Sequence, residues 1–180
     1  VLERVREDRG AEDVVDDAIE AYAGKDVEPE EWDLEALKMD MSRVFGLDAG
    51  DYMSLDFSDK SAEEIREALW ERIVKKYDSK EKTVGTETMR HVERFVMLET
   101  VDRQWKDHLY SLDHLKEGIG LRGYGQKDPL VEYKRESFEL FSEMLDKVKR
   151  EVITLLARVR IRNEEEVAQM EAADRQRLEA

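Results

Sequence analysis

The residues whose types and spacing could do chemistry are concentrated in Gly118-Ile-Gly-Leu-Arg-Gly-Tyr-Gly-Gln-Lys-Asp-Pro129. Within it, Gly118-Ile-Gly120-Leu-Arg-Gly123 has the G-x-G-x-x-G form of a dinucleotide fingerprint. That fingerprint works when a strand precedes the glycines and a helix follows them, so that a pyrophosphate meets the helix N-terminus. Here the flanking sequence reads as helix on both sides and no parallel-sheet pattern surrounds it, so a nucleotide site is rejected. No G-x-x-x-x-G-K-[ST] loop occurs in the chain. His108 and His114 are six residues apart, unlike an i, i+4 metal pair, and His91 stands alone. All three are read as structural or solvated, since carboxylates such as Asp107 and Asp113 fall near a histidine by abundance alone. With no nucleophile–base arrangement, the chain is predicted to hold no catalytic residue, no cofactor and no metal.

The chemistry that remains is that of contact. Four of nine glycines, Gly118, Gly120, Gly123 and Gly125, are predicted to end one helix and turn the chain. Asp128 is placed to N-cap the return helix, with Pro129 at its first position. The turn would expose Leu121, Arg122, Tyr124, Gln126 and Lys127, an apolar, aromatic and cationic tip. Tyr124 is flanked by glycines, so no local helix face can bury it. It either packs back on the hairpin or faces a partner, where its ring offers large contact area at low rotamer cost.

The elements that must position this tip are two amphipathic helices. Leu98, Val101, Trp105, Leu109, Leu112 and Leu115 step by three or four residues, as do Leu130, Tyr133, Leu140, Met144, Val148, Val152, Leu155 and Val159. Joined by a glycine-rich turn, the two stripes are expected to pack on one another as an antiparallel hairpin with Trp105 largely buried. Arms of roughly 30 residues would reach about 40 Å or more. Before them, Asp13–Tyr22 reads as a helix with Val14, Val15, Ala18 and Ile19 on one face, ending near Gly24. Lys25–Glu31 reads as a connector, and Trp32–Phe45 as a short helix closing at Gly46. Residues 48–60 read as a loop anchored by Tyr52, Leu55 and Phe57. Ser61-Ala-Glu-Glu64 has the capping-box form and opens a helix bearing Ile65, Leu69, Ile73 and Tyr77. Trp32 and Trp70 are expected to anchor this satellite unit.

Composition supports an all-α class: 180 residues, two prolines, 41% hydrophobic and 42% charged. There is no cysteine, hence no disulfide or thiolate metal site. The net charge of −15 is uneven. Residues 1–102 carry 15 Lys+Arg against 29 Asp+Glu, whereas residues 103–160 carry 12 against 10. An acidic front half argues against nucleic acid, whose binding rests on phosphate neutralisation. No apolar run approaches the roughly 20 residues of a membrane span. Val1 rather than methionine opens the chain, which is read as a piece of a longer protein.

Trp105-Lys-Asp-His-Leu109, Gly118–Pro129 and Glu132-Tyr-Lys-Arg-Glu-Ser-Phe138 resemble the C-terminal region of the SecA family of preprotein-translocase motors. Val84-Gly-Thr-Glu-Thr-Met-Arg-His91 and Val96-Met-Leu-Glu-Thr100 are similar to the segment before its hairpin. The resemblance implies an all-α fold, a long antiparallel two-helix finger on a helical scaffold with a small inserted wing. Residues 1–23 would end a long scaffold helix and residues 24–88 would form the wing. Residues 89–160 would return to the scaffold and form the finger, with its tip at 117–129, and 161–180 would be a linker. It further implies a finger that reaches the SecY channel complex, where Tyr124, and less directly Leu121, Arg122, Gln126 and Lys127, touch the unfolded preprotein. The implied partners are preprotein and signal peptide, the SecY channel and the motor domains of the same parent chain. ATP and magnesium belong to those motor domains, whose Walker motifs this chain lacks, as it lacks the cysteines of a zinc-binding tail. The implied location is cytoplasmic, peripheral to the inner face of the bacterial plasma membrane. A stand-alone helical adaptor, binding folded partners along an exposed hairpin flank, is the alternative.

Overall fold

The computed structural model describes residues 10–24, 27–53, 55, 57, 60–122 and 128–160, with only the backbone of residues 120–122. The described residues form six α-helices: α1 (Gly10–Ala23), α2 (Leu34–Phe45), α3 (Ala49–Met53), α4 (Ala62–Val84), α5 (Thr86–Arg122) and α6 (Pro129–Arg158). A 3-10 turn, Pro29–Glu31, lies between α1 and α2.

Local chemistry sets most boundaries. Glu12 and Asp13 occupy the first turn of α1, where carboxylates meet the positive end of the helix dipole. Asp33 Oδ1 accepts the Ala36 N–H at 2.9 Å to cap α2, and the helix closes on Gly46, whose φ of 65° is left-handed. Ser61 and Glu64 complete the reciprocal capping box of α4: Ser61 Oγ accepts the Glu64 N–H, and Glu64 Oε2 accepts the Ser61 N–H at 2.8 Å. Asp128 Oδ1 accepts the Leu130 N–H at 2.9 Å, with Pro129 opening α6.

Residues 48–60 are not wholly a loop, because α3 forms within them. Asp51 Oδ2 accepts the Asp48 N–H at 2.8 Å and Asp48 Oδ1 accepts the Asp51 N–H at 3.1 Å, closing one helical turn. Long-range bonds then hold that turn. Arg72 and Lys76 of α4 reach the buried Asp51 carboxylate, and the Tyr52 hydroxyl donates to the Lys38 carbonyl at 2.8 Å. None of these three partners is local, so periodicity along 48–60 carries no sign of them.

The main core gathers Val14, Val15, Ala18 and Ile19 of α1, Leu37, Met41, Val44 and Phe45 of α2, and Ile65 and Leu69 of α4. Ile153 and Ala157 near the end of α6 pack against it, as do Trp32 and Trp70, both partly buried. Asp16–Arg66 and Asp17–Arg150 ion pairs tie α1 to α4 and α6. The return arm of the hairpin is thus seated in the same core as the short helices.

The hairpin is antiparallel, with Glu151 of α6 bonded to Arg103 and, at 2.9 Å, to Gln104 of α5. On α6 the centre of the expected stripe faces inward: Met144 is buried, and Tyr133, Leu140, Val148 and Val152 are half-buried. On α5 the expected stripe does so only at Leu112 and Leu115, which are half-buried, and not from Leu98 to Leu109. Trp105 is 43% exposed and Leu98 62%, with Val101 and Leu109 also exposed. Among the described side chains of α5 the buried ones are Met89, Glu93, Thr100 and His108, with Val96, Gln104 and Ser111 half-buried between and beyond them. That line lies about one residue, or roughly 100° of helix rotation, from the apolar stripe. The expectation of a buried Trp105 is therefore corrected. Apolar residues occupy more than one face of α5, and hydrogen bonds to Glu151 help select the face that meets α6.

Candidate functional site

The sequence-predicted site is the hairpin tip, and α5 and α6 are what position it. Their 37 and 30 residues correspond to about 55 Å and 45 Å at 1.5 Å per residue. From Ile153, where α6 meets the core, to Pro129 is about 35 Å by the same rise. The arm ends that flank the tip, Arg122 and Pro129, therefore lie at the opposite end of the hairpin from the helical core.

Gly118 and Gly120 do not end the first arm, because α5 continues through both to Arg122. The helix before the glycines also removes the strand that a dinucleotide fingerprint requires. Glycine lowers helix stability by only about 1 kcal/mol, so two glycines in a 37-residue helix are outweighed by the turns before them. Leu121 and Arg122 thus occupy the last turn of α5, while Asp128 and Pro129 begin α6. Gly123, Tyr124, Gly125, Gln126 and Lys127 lie outside the described residues.

Behind the tip, the hairpin is held by an aromatic–histidine contact. His108 is 6% exposed and sits between Trp105, at 5.5 Å between ring centroids, and Phe141 of α6, at 5.8 Å. Trp105 and Phe141 therefore flank the seam together. With Leu98, Val101 and Leu109 of α5 and Leu145 of α6, they leave large apolar side chains exposed on the hairpin flank. His114 is exposed and stacks edge-on against Tyr110 at 4.3 Å. Among the described residues, no group of three or more His, Asp or Glu side chains could hold a metal ion. No described helix is long and apolar enough to cross a membrane.

Three perturbed and partly buried ionisable groups lie at the other end, where α4 meets α3, α5 and α6. Burial alone would raise the Asp51 carboxyl, but bonds from Lys76 at 2.5 Å, the Asp48 N–H and Arg72 hold it below its ordinary value. Burial and the Glu93 carboxylate push the Tyr77 hydroxyl well above the usual tyrosine range. Burial, with Lys76 nearby, lowers Lys80, whose Nζ donates to the carbonyls of Leu156 and Ala157 at 2.9 and 2.6 Å. Lys80 thereby satisfies two carbonyls of the last turn of α6, which have no intrahelical partner. A cavity of about 60 Å³ opens beside it, lined by Ala11, Phe45, Trp70, Tyr77 and Ile153 among others. That is far below the roughly 300 Å³ of a small-molecule pocket. The apolar flank was present in the sequence as the Leu98–Leu109 stripe, but its exposure was not legible there. The α4–α5–α6 junction left no sequence signal, because its partners are up to 77 residues apart.

Residues 3–160 match the family model of the SecA wing and scaffold domain. The chain is 47% identical over 174 residues to the protein translocase subunit SecA of Stenotrophomonas maltophilia, covering 94% of this chain and 19% of that protein. It is 42% identical over 162 residues to that of Syntrophobacter fumaroxidans, covering 88% and 19%. Against that of Xanthomonas campestris pv. campestris it is 44% identical over 169 residues, covering 93% and 18%. The chain thus spans about a fifth of the length of the curated relatives it matches. A match over this much of an all-helical chain places it in a family: it belongs to the SecA wing and scaffold domain family.

Proposed function

We propose that this chain is the scaffold and wing part of an ATP-driven protein-export motor, coupling motion of motor domains to a translocating preprotein. The family match and the relatives' name, protein translocase subunit SecA, support that reading. The observation that carries the mechanical part is the hairpin: Pro129, where its return arm begins, stands about 35 Å along α6 from the core that seats it. An arm of that shape transmits displacement from its seat to its tip. In this reading residues 1–23 end a scaffold helix, 24–88 form the wing, 89–160 form scaffold and finger, and 161–180 form a linker. ATP and magnesium act in motor domains elsewhere in the longer protein, and this chain supplies no catalytic group. It works at the cytoplasmic mouth of the SecY channel as a peripheral membrane protein. Tyr124 meets the unfolded preprotein or signal peptide, supported by Leu121, Arg122, Gln126 and Lys127. An aromatic ring among glycines suits a tip that handles many sequences without a specific pocket.

The adaptor reading also has an observation in its favour, since it anticipates an exposed apolar flank such as Leu98, Val101, Trp105 and Leu109. The motor reading accounts for the same flank through the four-fifths of the relatives' length outside this chain, which offers it packing partners.

The experiment places Tyr124→Ala, Tyr124→Phe and Tyr124→Asp in the full-length protein and measures ATP turnover and translocated preprotein. Tyr124→Ala and Tyr124→Asp should leave hydrolysis largely intact and impair translocation, while Tyr124→Phe should largely preserve both. Unchanged translocation, with a clear loss of fold stability, would make Tyr124 a packing residue and end the tip reading.

A further inference from the structure

α4 and α5, helices of 23 and 37 residues, are joined by the single residue Gly85, at φ 86° and ψ 144°. A positive φ of this size is open to glycine and strained for residues with a Cβ. A Cβ at Gly85 would meet nothing within 4 Å, so the backbone angle and not close packing is what calls for glycine. Two main-chain bonds meet at the joint: the Gly85 N–H donates to the Glu81 carbonyl at 2.9 Å, capping α4, and the Met89 N–H donates to the Gly85 carbonyl at 3.0 Å, opening α5.

A polar clasp spans the same joint. The Tyr77 hydroxyl of α4 donates to Glu93 Oε1 of α5 at 2.7 Å, and Arg90 Nη1 donates to the same oxygen. Arg90 Nη2 reaches back to Glu81 Oε1 at 2.7 Å. Glu93 is 1% exposed, yet its second oxygen, Oε2, is buried with no hydrogen-bond partner. Thr100 Oγ1, two turns further along α5, is buried and unpartnered as well. A buried carboxylate is tolerated when its lone pairs are met, and disfavoured when they are not. The clasp therefore combines strong bonds on one oxygen with a desolvation cost on the other, which lowers its net hold on the joint. On the far side, Lys80 holds the end of α6, and Ile153 and Ala157 seat α6 in the core. Release of Glu93 would free the base of α5 while α6 stays seated.

We propose that the α4–α5 elbow is a latched hinge, with Gly85 as its pivot and the Tyr77–Glu93–Arg90–Glu81 cluster as its latch. The hinge sets the angle at which the hairpin's first arm leaves α4, and Met89, fully buried beside Arg90, is the apolar part of the docked surface. The inference rests on the fold alone and stands or falls apart from any role of the tip.

The chain contains no cysteine, so Glu71→Cys with Glu99→Cys places one spin label on α4 and one on the base of α5, both at exposed positions. Distance distributions are compared with and without Tyr77→Phe and Glu93→Gln, alongside amide exchange. With the latch removed, the distribution should broaden by about twofold, and the Gly85 and Met89 amides should exchange about tenfold faster. Core amides of α1 and α2 should keep their rates. Gly85→Ala, which cannot hold the native φ without strain, should shift the mean distance. An unchanged distribution in folded Tyr77→Phe would show a rigid joint held by packing. Acceleration spread equally over α1 and α2 would show global destabilisation. An unchanged mean in Gly85→Ala would remove Gly85 as pivot. Each of these three results overturns the proposal.

Discussion

Replacing Asp51 with asparagine should destabilise the fold by about 2–3 kcal/mol at neutral pH. Asp51 is 3% exposed and its carboxylate receives Arg72 Nη2 and Lys76 Nζ, both at 2.5 Å, and the Asp48 N–H at 2.8 Å. Removing one partner of a fully buried ion pair costs about 3–5 kcal/mol, because the other charge is stranded. Here the side chains of Arg72 and Lys76 keep 29% and 31% exposure, so water meets part of their charge and the lower figure applies. Asparagine retains the shape and one acceptor oxygen, which protects the turn of α3 and confines the loss to the ionic part. The sign of the pH dependence follows from the lowered Asp51 pKa. Its contribution is fully present above the unfolded-state value of about 3.9 and is lost as pH falls through the lower folded value. Urea unfolding followed by circular dichroism, at several pH values from neutral downward, measures the gap between the two proteins. That gap should be constant from pH 7 to about 5 and close below about 4. A difference under about 0.5 kcal/mol at neutral pH, of the size expected for surface changes, would refute the buried network. So would a gap that persists unchanged in strong acid.

Three further substitutions test the packing and the caps. Leu37→Ala, at a position with no exposure, should cost about 2–5 kcal/mol in the same assay, whereas Trp105→Ala in this chain should cost less despite its larger side chain. The opposite ranking would restore Trp105 to the seam. Ser61→Ala should cost about 1 kcal/mol by removing one half of the α4 capping box; a neutral result in thermal unfolding would mean that the first turn of α4 is held by tertiary contacts alone.

Much of the fold was legible because its signals are local. Helix type follows from apolar spacing at Val14–Ile19 and Leu140–Val148, and helix ends from Gly46, Ser61 with Glu64, and Asp128 with Pro129. Each of these acts within a few residues through its own hydrogen bonds or backbone preference, so one strand of sequence carries the whole cause. The two hairpin arms, the all-α class and the family resemblance belong to the same category. Gly118 and Gly120 mark the limit of such reasoning, since a helix-weakening residue does not stop a helix whose preceding turns are already formed.

Three-dimensional structure alone decided which face of α5 is buried. The sequence offers Leu98, Val101, Trp105 and Leu109 as one stripe and Glu93, Thr100, Gln104 and His108 as another, and counting apolar residues favours the first. The second faces α6 because Glu151 receives Arg103 and Gln104, and because His108 fits between Trp105 and Phe141. The one-turn helix α3 likewise depends on Arg72 and Lys76, 21 and 25 residues away. The Gly85 elbow and its Tyr77–Glu93 clasp exist only when two helices fold back on each other. Local preferences write helices and their ends into the sequence. Pairings across long stretches of chain depend on shape and charge meeting in space, and that is settled by the folded molecule.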